Sequence, residues 1–539
     1  PGPKAEPAKT QQPARKLGPR RDDHRHEPLS HEAERQIPDQ ISIDWLDYHG
    51  RYDSKLIASV DVDTGRRYTY GEFNDRIHRL ASGLRRVYGV RKGDRIALIA
   101  HNSAGTFECL FAGWQLGAAL MPLNWRLSPR EMARLLAHGE PAVVIFDEEF
   151  SHLLDGYQGQ RLCRHPEAGE CDYEALIASG NNDVEPAELT IDDMSTLLYT
   201  SGTTGQPKGV IGTFRMMRDT IIHAALHAGL HGASRALTSA PMFHSAGLYG
   251  FSMPVFHYGG TLYVMKRWDP ARYLELMSDP ELGITQTIGV PVQYAMIAEL
   301  PEFRNAAFPN LQVAGVGAAP VPNELLDVWA DIGVNLATVY GLTEAFSVCY
   351  LPPQTAREKP GSVGHRMLHT RLKVADAKGE RVKPGVVGEI MIKGPAVTPG
   401  YWKAPEATEA AFLDGWFKTG DAGRIDDEGS IYIVGRYKDL FISGGENVYP
   451  TEIDSVRDGL DGVLMAAVVG VPASKWGEVG LAAIQARPGS ALDEAAVTSH
   501  LKQHLASFKV PKYIVFVDEL PVSAQGKVRK DELGRRYAP

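Results

Sequence analysis

The sequence predicts an α/β protein that has a large N-terminal domain of sheets covered by helices and a small α+β C-terminal domain. In the first part of the chain, apolar strand-like runs alternate with amphipathic helical segments. This alternation is typical of parallel sheets with helices on both faces. After about residue 420 the pattern changes to a hairpin followed by a short α+β set. With 539 residues, the chain can form about three to four folding units.

The elements of the N-terminal part follow one another in the order that such a sheet requires. The first helix is predicted from apolar residues that recur every three or four positions, at Phe73, Ile77, Leu80 and Leu84. Ser128 predicts another helix start, because its hydroxyl can cap a first turn that Pro129 and Glu131 favour. The other segments are predicted as strand 95–100, helix 106–116, strand 118–122 and, after the capped helix, strand 142–146.

The C-terminal part begins with a predicted β-hairpin at 424–436, whose turn lies at 427–429. Three elements follow the hairpin, namely strand 464–471, a helix near 492–505 and strand 513–517. We therefore place a domain boundary near Gly435, with one domain over 41–435 and the other over 436–539.

Composition narrows the class of protein. The net charge of −9 and the pI near 6.1 argue against nucleic acid as the main partner, because a phosphate backbone is bound by clustered Lys and Arg. The few cysteines lack zinc-ligand spacing, and this usage is typical of a reduced, cytoplasmic protein. The cysteines are Cys109, Cys163, Cys171 and Cys349.

Two segments require separate interpretation. Residues 1–40 are basic and rich in Pro and nearly lack large apolar side chains at 1–21, so we expect them to be disordered. They contain no apolar core of a secretory signal, while a transit peptide stays open. The stretch 236–265 has no charged residue, but Pro241 and Pro254 interrupt it. We interpret it as buried core beside a lipophilic pocket rather than a membrane span.

The segment Tyr199–Val210 (YTSGTTGQPKGV) has the composition of a phosphate-binding loop. Glycines let backbone N–H groups approach phosphate oxygens, and hydroxyl groups and a lysine complete such a site. It is not a Walker A loop, because Gly209 follows Lys208 where that motif has Ser or Thr. The candidate phosphate ligands are Thr200, Ser201, Gly202, Thr203, Thr204, Gly205 and Lys208.

Five further motifs follow this loop, namely GVGAAP (Gly315–Pro320), VYGLTE (Val339–Glu344), WFKTGD (Trp416–Asp421), GRYKD (Gly435–Asp439) and SAQGKVRK (Ser523–Lys530). The set resembles the adenylate-forming superfamily of acyl-CoA synthetases, aryl-CoA ligases, non-ribosomal peptide adenylation domains and firefly luciferase. The resemblance extends from about residue 41 to the C-terminus, and fatty-acid or aryl acyl-CoA ligases are the most similar in appearance. It implies an acid–thiol ligase that uses ATP and Mg²⁺ to form an acyl-AMP and then a coenzyme A thioester.

The resemblance also implies roles in nucleotide binding. Glu344 would hold Mg²⁺, and Thr343 would contact the α-phosphate. Asp421 would accept both ribose hydroxyls, and Arg436 would add a positive contact to the nucleotide. The adenine would lie against Gly317, Ala318, Ala319, Tyr340 and Gly341.

A second set of implied roles belongs to a mobile C-terminal domain. Lys527 would offset the repulsion between the substrate carboxylate and the α-phosphate during adenylation. Lys438 lies where relatives hinge, and a rotation there would replace Lys527 by a loop that contains Gly444 and Gly445. These glycines would line the tunnel for the pantetheine arm of coenzyme A, which is conformational gating of a common kind.

The acid is bounded by three candidate pocket residues, His244, Phe346 and Ser347. His244 occupies the position at which amino-acid-activating relatives have an Asp, so a substrate ammonium would be buried without a partner. A lipophilic acid, fatty or aryl, fits the apolar neighbourhood better. Phe346 is bulky where aryl-CoA ligases often have a small residue, and the choice between the two acids stays open.

Other functions remain to be compared with this one. Because the chain ends shortly after Lys527, we expect the acceptor to be free coenzyme A or, as the alternative, a separate acyl-carrier protein. No feature favours an oxidoreductase of the luciferase kind. A non-catalytic nucleotide-binding protein is disfavoured by the presence of Lys527, Glu344 and Asp421 together. The expected partners are small molecules, and the oligomeric state stays open, a homodimer included.

Overall fold

The computed structural model describes residues 2, 40–43, 45–164, 171–200, 208–443, 446–448, 450, 453–454, 460–473, 476–522 and 528–538. The prediction of disorder at 1–40 therefore concerns residues that lie almost entirely outside this description. Residues 40–539 form one compact unit. The domain boundary near Gly435 stays a prediction.

One sheet of six described strands follows the predicted alternation closely. Its central strand, Arg95–Ile99, pairs in parallel with Ala119–Pro122 and with Val143–Asp147. At one edge, Lys208–Thr213 pairs antiparallel with Met194–Thr200. Across the sheet the strands are Lys208–Thr213, Met194–Thr200, Ala119–Pro122, Arg95–Ile99, Val143–Asp147 and Arg161–Arg164. The parallel pairing that the sequence predicted is confirmed in the centre of this sheet.

A larger sheet of fourteen described strands changes from parallel to antiparallel pairing along its width. Val313–Gly317 and Leu336–Tyr340 are parallel neighbours, whereas Trp416–Ile425 and Ile431–Arg436 form the predicted hairpin. The hairpin turn contains Gly429 at φ +87°, a conformation that glycine adopts readily. The order is Arg371–Ala375, Gly388–Lys393, Trp416–Ile425, Ile431–Arg436, Ser362–Arg366, Cys349–Leu351, Leu336–Tyr340, Val313–Gly317, Gln286–Gly289, Arg235–Thr238, Thr261–Val264, Ile57–Asp61 and Arg66–Thr69, with Phe412–Leu413 beside Trp416–Ile425.

Helices cover these sheets, and the helix after Ser128 begins where the sequence predicts. Ser128 caps Pro129–Gly139 by accepting from the backbone N–H of Glu131, whose carboxylate accepts from Ser128 in return. The Phe73 stripe is buried in the helix Tyr70–Tyr88. The described helices are Trp45–Tyr52, Tyr70–Tyr88, Ala104–Gln115, Pro129–Gly139, Asp172–Ser179, Phe214–Ala228, Met253–His257, Pro270–Ser278, Pro291–Ala298, Asn323–Ala330, Pro405–Ala411, Glu494–His504 and Lys530–Tyr537.

The C-terminal part has its own sheet of five described strands. Val463–Ala473 and Gly477–Ala486 form its long antiparallel pair, and Tyr513–Phe516 adds a parallel strand. Phe441–Ser443 and Glu446–Val448 complete it. These bounds confirm the predicted α+β set. The remaining short elements are the strand pair Gln40–Ile41 and Leu189–Thr190, and the 3₁₀ turns Glu148–Leu154, Phe303–Asn305 and Tyr437–Asp439.

The uncharged stretch 236–265 forms buried core, as predicted. It contains a strand ending at Thr238, a π-helix at Ala246–Ser252 that continues into Met253–His257, and the strand Thr261–Val264. Among the described residues, no helix combines the length and the apolar character needed to cross a bilayer. Cys109 and Cys349 are buried free thiols.

Candidate active site

Two parallel strands of the large sheet end side by side, at Gly317 and Tyr340. Gly317 is in register with Val339, and a Cβ at Gly317 would collide with the carbonyl oxygen of Val339. The strand therefore needs glycine at this point. Ala318 follows at φ +65°, and it is exposed together with Ala319. Ligands of open α/β sheets bind outside the carboxyl ends of such strands.

Tyr340, Asp421 and Arg436 form one hydrogen-bonded group beside these strand ends. The phenol of Tyr340 donates to Asp421 Oδ2 at 2.6 Å, and Arg436 Nε lies 3.1 Å from Asp421 Oδ1. Asp421 and Arg436 face each other in the hairpin register. The Thr419 hydroxyl accepts from the backbone N–H of Asp421 at 3.0 Å. Three separate motifs thus converge on one carboxylate.

The electrostatics of this group keep Tyr340 a hydrogen-bond donor. Burial is the main cause that raises the pKa of the Tyr340 phenol well above its usual range, and the charge of Asp421 adds to it. Asp421 is 7% exposed, whereas the Arg436 side chain is 47% exposed. A second carboxylate, Glu389, accepts from the backbone N–H of Gly420 at 3.1 Å, and burial raises its pKa.

Tyr401 connects two further motif residues, Glu344 and Lys208. Its phenol donates to Glu344 Oε1 at 2.9 Å, and Lys208 Nζ lies 4.8 Å from the centre of its ring. The ring can therefore interact with the ammonium through its face while its hydroxyl holds the carboxylate. Burial, followed by the charge of Glu344, raises the pKa of Tyr401.

The chain around Tyr401 is attached to the strand that follows the candidate phosphate loop. The backbone N–H of Trp402 donates to the carbonyl of Gly209 at 2.7 Å, and that of Ile211 donates to Gly400 at 3.1 Å. The N–H of Thr398 donates to the carbonyl of Glu344 at 2.7 Å. One short segment, 398–402, therefore fixes Glu344 relative to this strand.

Phe346 and Ser347 lie on the other side of the VYGLTE motif, against the π-helix. The Phe346 ring stacks on Tyr249 with centroids 4.4 Å apart and an interplanar angle of 10°. The Tyr249 hydroxyl donates to Ser195 Oγ at 2.8 Å, which fixes the stacked pair in place. Phe346 is buried and has φ +50°. Helices with π geometry occur often at functional sites.

His244 and Thr343 are half-buried. In sequence, His244 lies just before the π-helix that contains Tyr249, and Thr343 directly precedes Glu344. His244 accepts, through its carbonyl, from the N–H of Leu248 at 3.0 Å, at the start of the π-helix. Gly341 precedes a tight turn in which the N–H of Val348 donates to the carbonyl of Tyr340 at 2.9 Å. Lys438 belongs to the 3₁₀ turn that directly follows Arg436.

Several predicted site residues lie outside the described part of the chain. Thr200 and Lys208 are in register at the ends of their strands, and the loop residues between them are outside the described part of the chain. The same holds for the small domain's Gly444, Gly445 and Lys527. The loop residues concerned are Ser201, Gly202, Thr203, Thr204 and Gly205.

Tyr401 and Glu389 were not found from the sequence. Tyr401 is one of two adjacent aromatic residues in TPGYW, and Glu389 directly precedes the apolar run of GEIMIK, as an ordinary strand residue does. Neither segment carries a spacing that indicates chemistry. Glu389 lies on the strand Gly388–Lys393, which pairs with the strand that carries the WFKTGD motif. A search of that neighbouring strand for polar residues would have included Glu389.

Comparison with known proteins identifies the family. A family profile described as AMP-binding enzyme matches residues 48–402, and one described as AMP-binding enzyme C-terminal domain matches residues 452–527. The chain belongs to the AMP-binding enzyme family. The predicted superfamily is therefore confirmed.

Members of this family are similar to the chain over nearly its whole length. Feruloyl-CoA synthase of Amycolatopsis sp. is 39% identical over 476 residues, 88% of this chain and 94% of that protein. Indoleacetate–CoA ligase of Aromatoleum aromaticum is 34% identical over 504 residues, 92% of this chain and 98% of that protein.

Solved structures of the same kind confirm the fold class. ATP-bound MatB of Rhodopseudomonas palustris matches with a TM-score of 0.84 and 30% identity, covering 92% of this chain and 98% of that one. The o-succinylbenzoate CoA synthetase of Bacillus subtilis, in complex with its acyl-adenylate intermediate, gives the same TM-score, identity and coverage. A large N-terminal domain followed by a small C-terminal domain is common to all of these AMP-binding enzymes.

Proposed function

We propose that this AMP-binding enzyme is an ATP- and Mg²⁺-dependent acid–CoA ligase that activates a lipophilic aryl acid as its acyl-AMP. The observation that carries the proposal is the convergence of Tyr340, Asp421 and Arg436 into one hydrogen-bonded group, in which Tyr340 lies close in sequence to the stacked aromatic residue Phe346. The nucleotide would lie on this group and the acid against Phe346. ATP- and magnesium-bound relatives, and relatives named as CoA ligases, support the cofactors ATP, Mg²⁺ and coenzyme A.

The first half-reaction joins a carboxylate to the α-phosphate of ATP and releases pyrophosphate. Because both reactants are anions, the enzyme must supply positive charge and hold them in line. Lys208 and the loop before it would hold the leaving phosphates, and Glu344 would hold Mg²⁺, which supplies charge neutralisation when bound. Thr343 would contact the α-phosphate. Asp421 would accept the ribose hydroxyls in exchange for part of its contact with Tyr340.

Tyr401 would position Glu344 for this task. A carboxylate that holds a cation must keep its orientation when the cation leaves. The phenol of Tyr401 would maintain that orientation, because it donates to one oxygen of Glu344 at 2.9 Å. The second oxygen then stays available to the cation. Because residues 398–402 are hydrogen-bonded to the strand after the phosphate loop, they would hold Glu344 at a fixed position relative to the bound phosphates.

The acid pocket favours a flat ring over a long alkyl chain. Phe346 stacks nearly parallel on Tyr249, which is fully buried behind it, and the accessible edge of Phe346 would form the aromatic wall of the acid pocket. A planar aryl group can stack against or meet the edge of such a wall, whereas a bulky Phe346 shortens the space available to an extended chain. Relatives named for ferulate, indoleacetate and 2-succinylbenzoate support an aryl acid. Fatty acids are the class of acid with which aryl acids must be compared, because a relative named as a long-chain-fatty-acid–CoA ligase is 35% identical over 492 residues.

The second half-reaction requires the small domain to move. Lys527 would leave the site after adenylation, and the segment with Gly444 and Gly445 would replace it and line the pantetheine tunnel. Lys438, in the turn after Arg436, is the proposed hinge, which agrees with a boundary near Gly435. The buried free thiols of Cys109 and Cys349 support an intracellular, cytoplasmic location.

The deciding experiment is a pyrophosphate-release screen over hydroxycinnamates, arylacetates, benzoates and straight-chain fatty acids, with and without coenzyme A. We expect the highest kcat/KM with an aryl acid, and conversion to the CoA thioester when coenzyme A is present. Highest activity with a long-chain acid would contradict the aryl assignment. If acyl-AMP accumulates in the presence of coenzyme A but is consumed when an acyl-carrier protein is added, the assignment of coenzyme A as the acceptor is contradicted.

A further inference from the structure

A cluster of three metal-ligating side chains lies outside the adenylation site. Asp219 and His223 are one turn apart on the helix Phe214–Ala228, so they share one face of it. His369, on the loop after the strand Ser362–Arg366, reaches the same face, where its Nδ1 lies 2.7 Å from Asp219 Oδ1. Each of the three residues offers one ligand atom, and these atoms all lie within 4.8 Å of one another.

The hydrogen bonds of His223 leave one of its nitrogens directed at this cluster as an acceptor. His223 Nε2 is 2.7 Å from the carbonyl oxygen of Leu368, so Nε2 carries the proton and donates. The other nitrogen, Nδ1, is then unprotonated, and it is buried without a hydrogen-bond partner among the described residues. An imidazole whose N–H is held by a backbone carbonyl and whose other nitrogen is free has the arrangement typical of a metal ligand.

Asp219 presents a second acceptor of the same kind. Its Oδ2 is buried and has no hydrogen-bond donor in the part of the chain that the structure describes. Both Asp219 and His223 are only 2% exposed. Buried polar atoms are nearly always paired, and a single bound cation would satisfy both of these acceptors.

We propose that Asp219, His223 and His369 bind a divalent transition-metal ion, with Zn²⁺ as the best fit. Two imidazoles and one carboxylate are ligands that suit zinc, whereas Mg²⁺ and Ca²⁺ prefer oxygen ligands alone. Three protein ligands leave a fourth tetrahedral position open. The site is therefore separate, in position and in chemistry, from the Mg²⁺ of ATP.

The surroundings provide an entry path and a charge balance. The His369 side chain is 51% exposed and lines an open cleft of about 580 Å³ together with Arg366 and Thr370. Arg371 and Arg381 line the same cleft, so its mouth is positive and opposes a bare cation. The buried Asp219 carboxylate offsets part of this charge, and an anion attracted to the cleft would be able to supply the fourth ligand.

A bound ion would connect two parts of the large N-terminal domain. The loop that carries His369 is held to the segment after VYGLTE, since the N–H of Met367 donates to the carbonyl of Val348 at 2.8 Å. The helix of Asp219 directly follows the strand Lys208–Thr213. The metal would clamp these two elements together, and chelation is expected to loosen the loop.

The test is zinc binding to the tag-free full-length chain after treatment with EDTA and desalting. Equilibrium dialysis against ZnCl₂, with Mg²⁺ in excess, followed by elemental analysis should give one tightly held Zn²⁺ per chain. Co²⁺ in place of Zn²⁺ should give visible absorption bands of a tetrahedral site. Absence of stoichiometric binding to the wild-type chain would overturn the proposal.

Variants locate the ion. His369→Ala, which truncates a half-exposed side chain, and Asp219→Asn should each weaken binding by more than the roughly 10–100-fold that loss of an outer-shell partner costs. The matched control is His365→Ala, four residues away, where an exposed ring contacts the carbonyl of Gly429 instead. If Asp219→Asn fails to fold by circular dichroism, His369→Ala decides alone. Wild-type affinity in His369→Ala would refute the assignment.

Discussion

The nucleotide side and the acid side of the candidate active site are built in different ways. On the nucleotide side, Tyr340, Asp421 and Arg436 are joined by directional contacts of 2.6 and 3.1 Å. On the acid side, Phe346 and Tyr249 are held by ring stacking in a buried apolar region. Hydrogen bonds to a charged group depend on the particular partner, whereas apolar packing tolerates exchange of shape and volume.

This difference explains why the sequence motifs identify the family but do not identify the acid. Solved relatives of this chain hold ATP or AMP, and the polar residues proposed to contact the nucleotide here lie in recognisable sequence motifs. The acid differs between feruloyl-CoA synthase and indoleacetate–CoA ligase, and a packed wall can change by single substitutions. We therefore expect large losses of activity from changes on the nucleotide side and shifts of preference from changes on the acid side.

The largest effect is expected from Lys527→Ala. Loss of a fixed charge partner in the transition state should slow acyl-AMP formation by about 10²–10³. Thioester formation from supplied acyl-AMP should change far less, because that step uses the other position of the small domain. The two rates are measured separately by single-turnover assays, with Lys502→Ala, an exposed lysine of the same domain, as the control. Equal losses in both steps would refute the two-position scheme.

Asp421→Ala is expected to have the next largest effect. A hydrogen bond to a charged group contributes about 1.5–3 kcal/mol, so the KM for ATP should rise about 10–150-fold. Discrimination against 2′-deoxy-ATP should fall, since the lost contact is to the ribose. The ratio of kcat/KM for the two nucleotides checks this, with a melting curve to monitor folding. Asp427→Ala at the exposed hairpin turn is the control, and an unchanged ratio would disprove the ribose contact.

Tyr401→Phe tests whether the residue that links Glu344 and Lys208 belongs to the nucleotide side. The variant keeps the ring beside Lys208 and removes only the donor to Glu344, so kcat/KM for MgATP should fall about tenfold. The fall should lessen at high Mg²⁺ if Glu344 is the metal ligand. Tyr432→Phe, which removes a hydroxyl that donates to Asp426, should behave as wild type. Identical titrations for Tyr401→Phe and wild type would remove Tyr401 from the site.

Phe346→Gly should give the smallest effect, a change of preference. The enlarged pocket can accept longer or bulkier acids, and each additional buried methylene should gain about 0.8 kcal/mol, or about fourfold in kcat/KM. The KM for ATP should stay constant. The measurement is kcat/KM for straight-chain acids and cinnamates, with Tyr52→Phe, an exposed aromatic residue outside the candidate pocket, as the control. If wild type and Phe346→Gly rank the acids identically, Phe346 does not border the substrate.

The sequence predicted those features whose cause lies in neighbouring residues. The cap at Ser128 follows from a serine and a glutamate three positions apart, and the hairpin before Arg436 follows from its turn residues. Tyr401 could not be predicted in the same way, because its partner Glu344 is 57 positions away and no repeat or spacing connects them. The contact of His369 with Asp219 spans 150 positions and depends wholly on the tertiary fold.

The backbone at Phe346 has a consequence for how the specificity of this enzyme can evolve. Its φ of +50° is a conformation that glycine adopts without strain and that costs a bulky residue about 1–2 kcal/mol. The loop backbone therefore suits glycine, and the buried stacking of the Phe346 ring on Tyr249 offsets the strain of the present residue. A mutation to glycine would relieve strain while it opens the pocket. Under the proposed function, new substrates would be accessible through this one position, without changes to the adjoining residues that are proposed to contact the nucleotide.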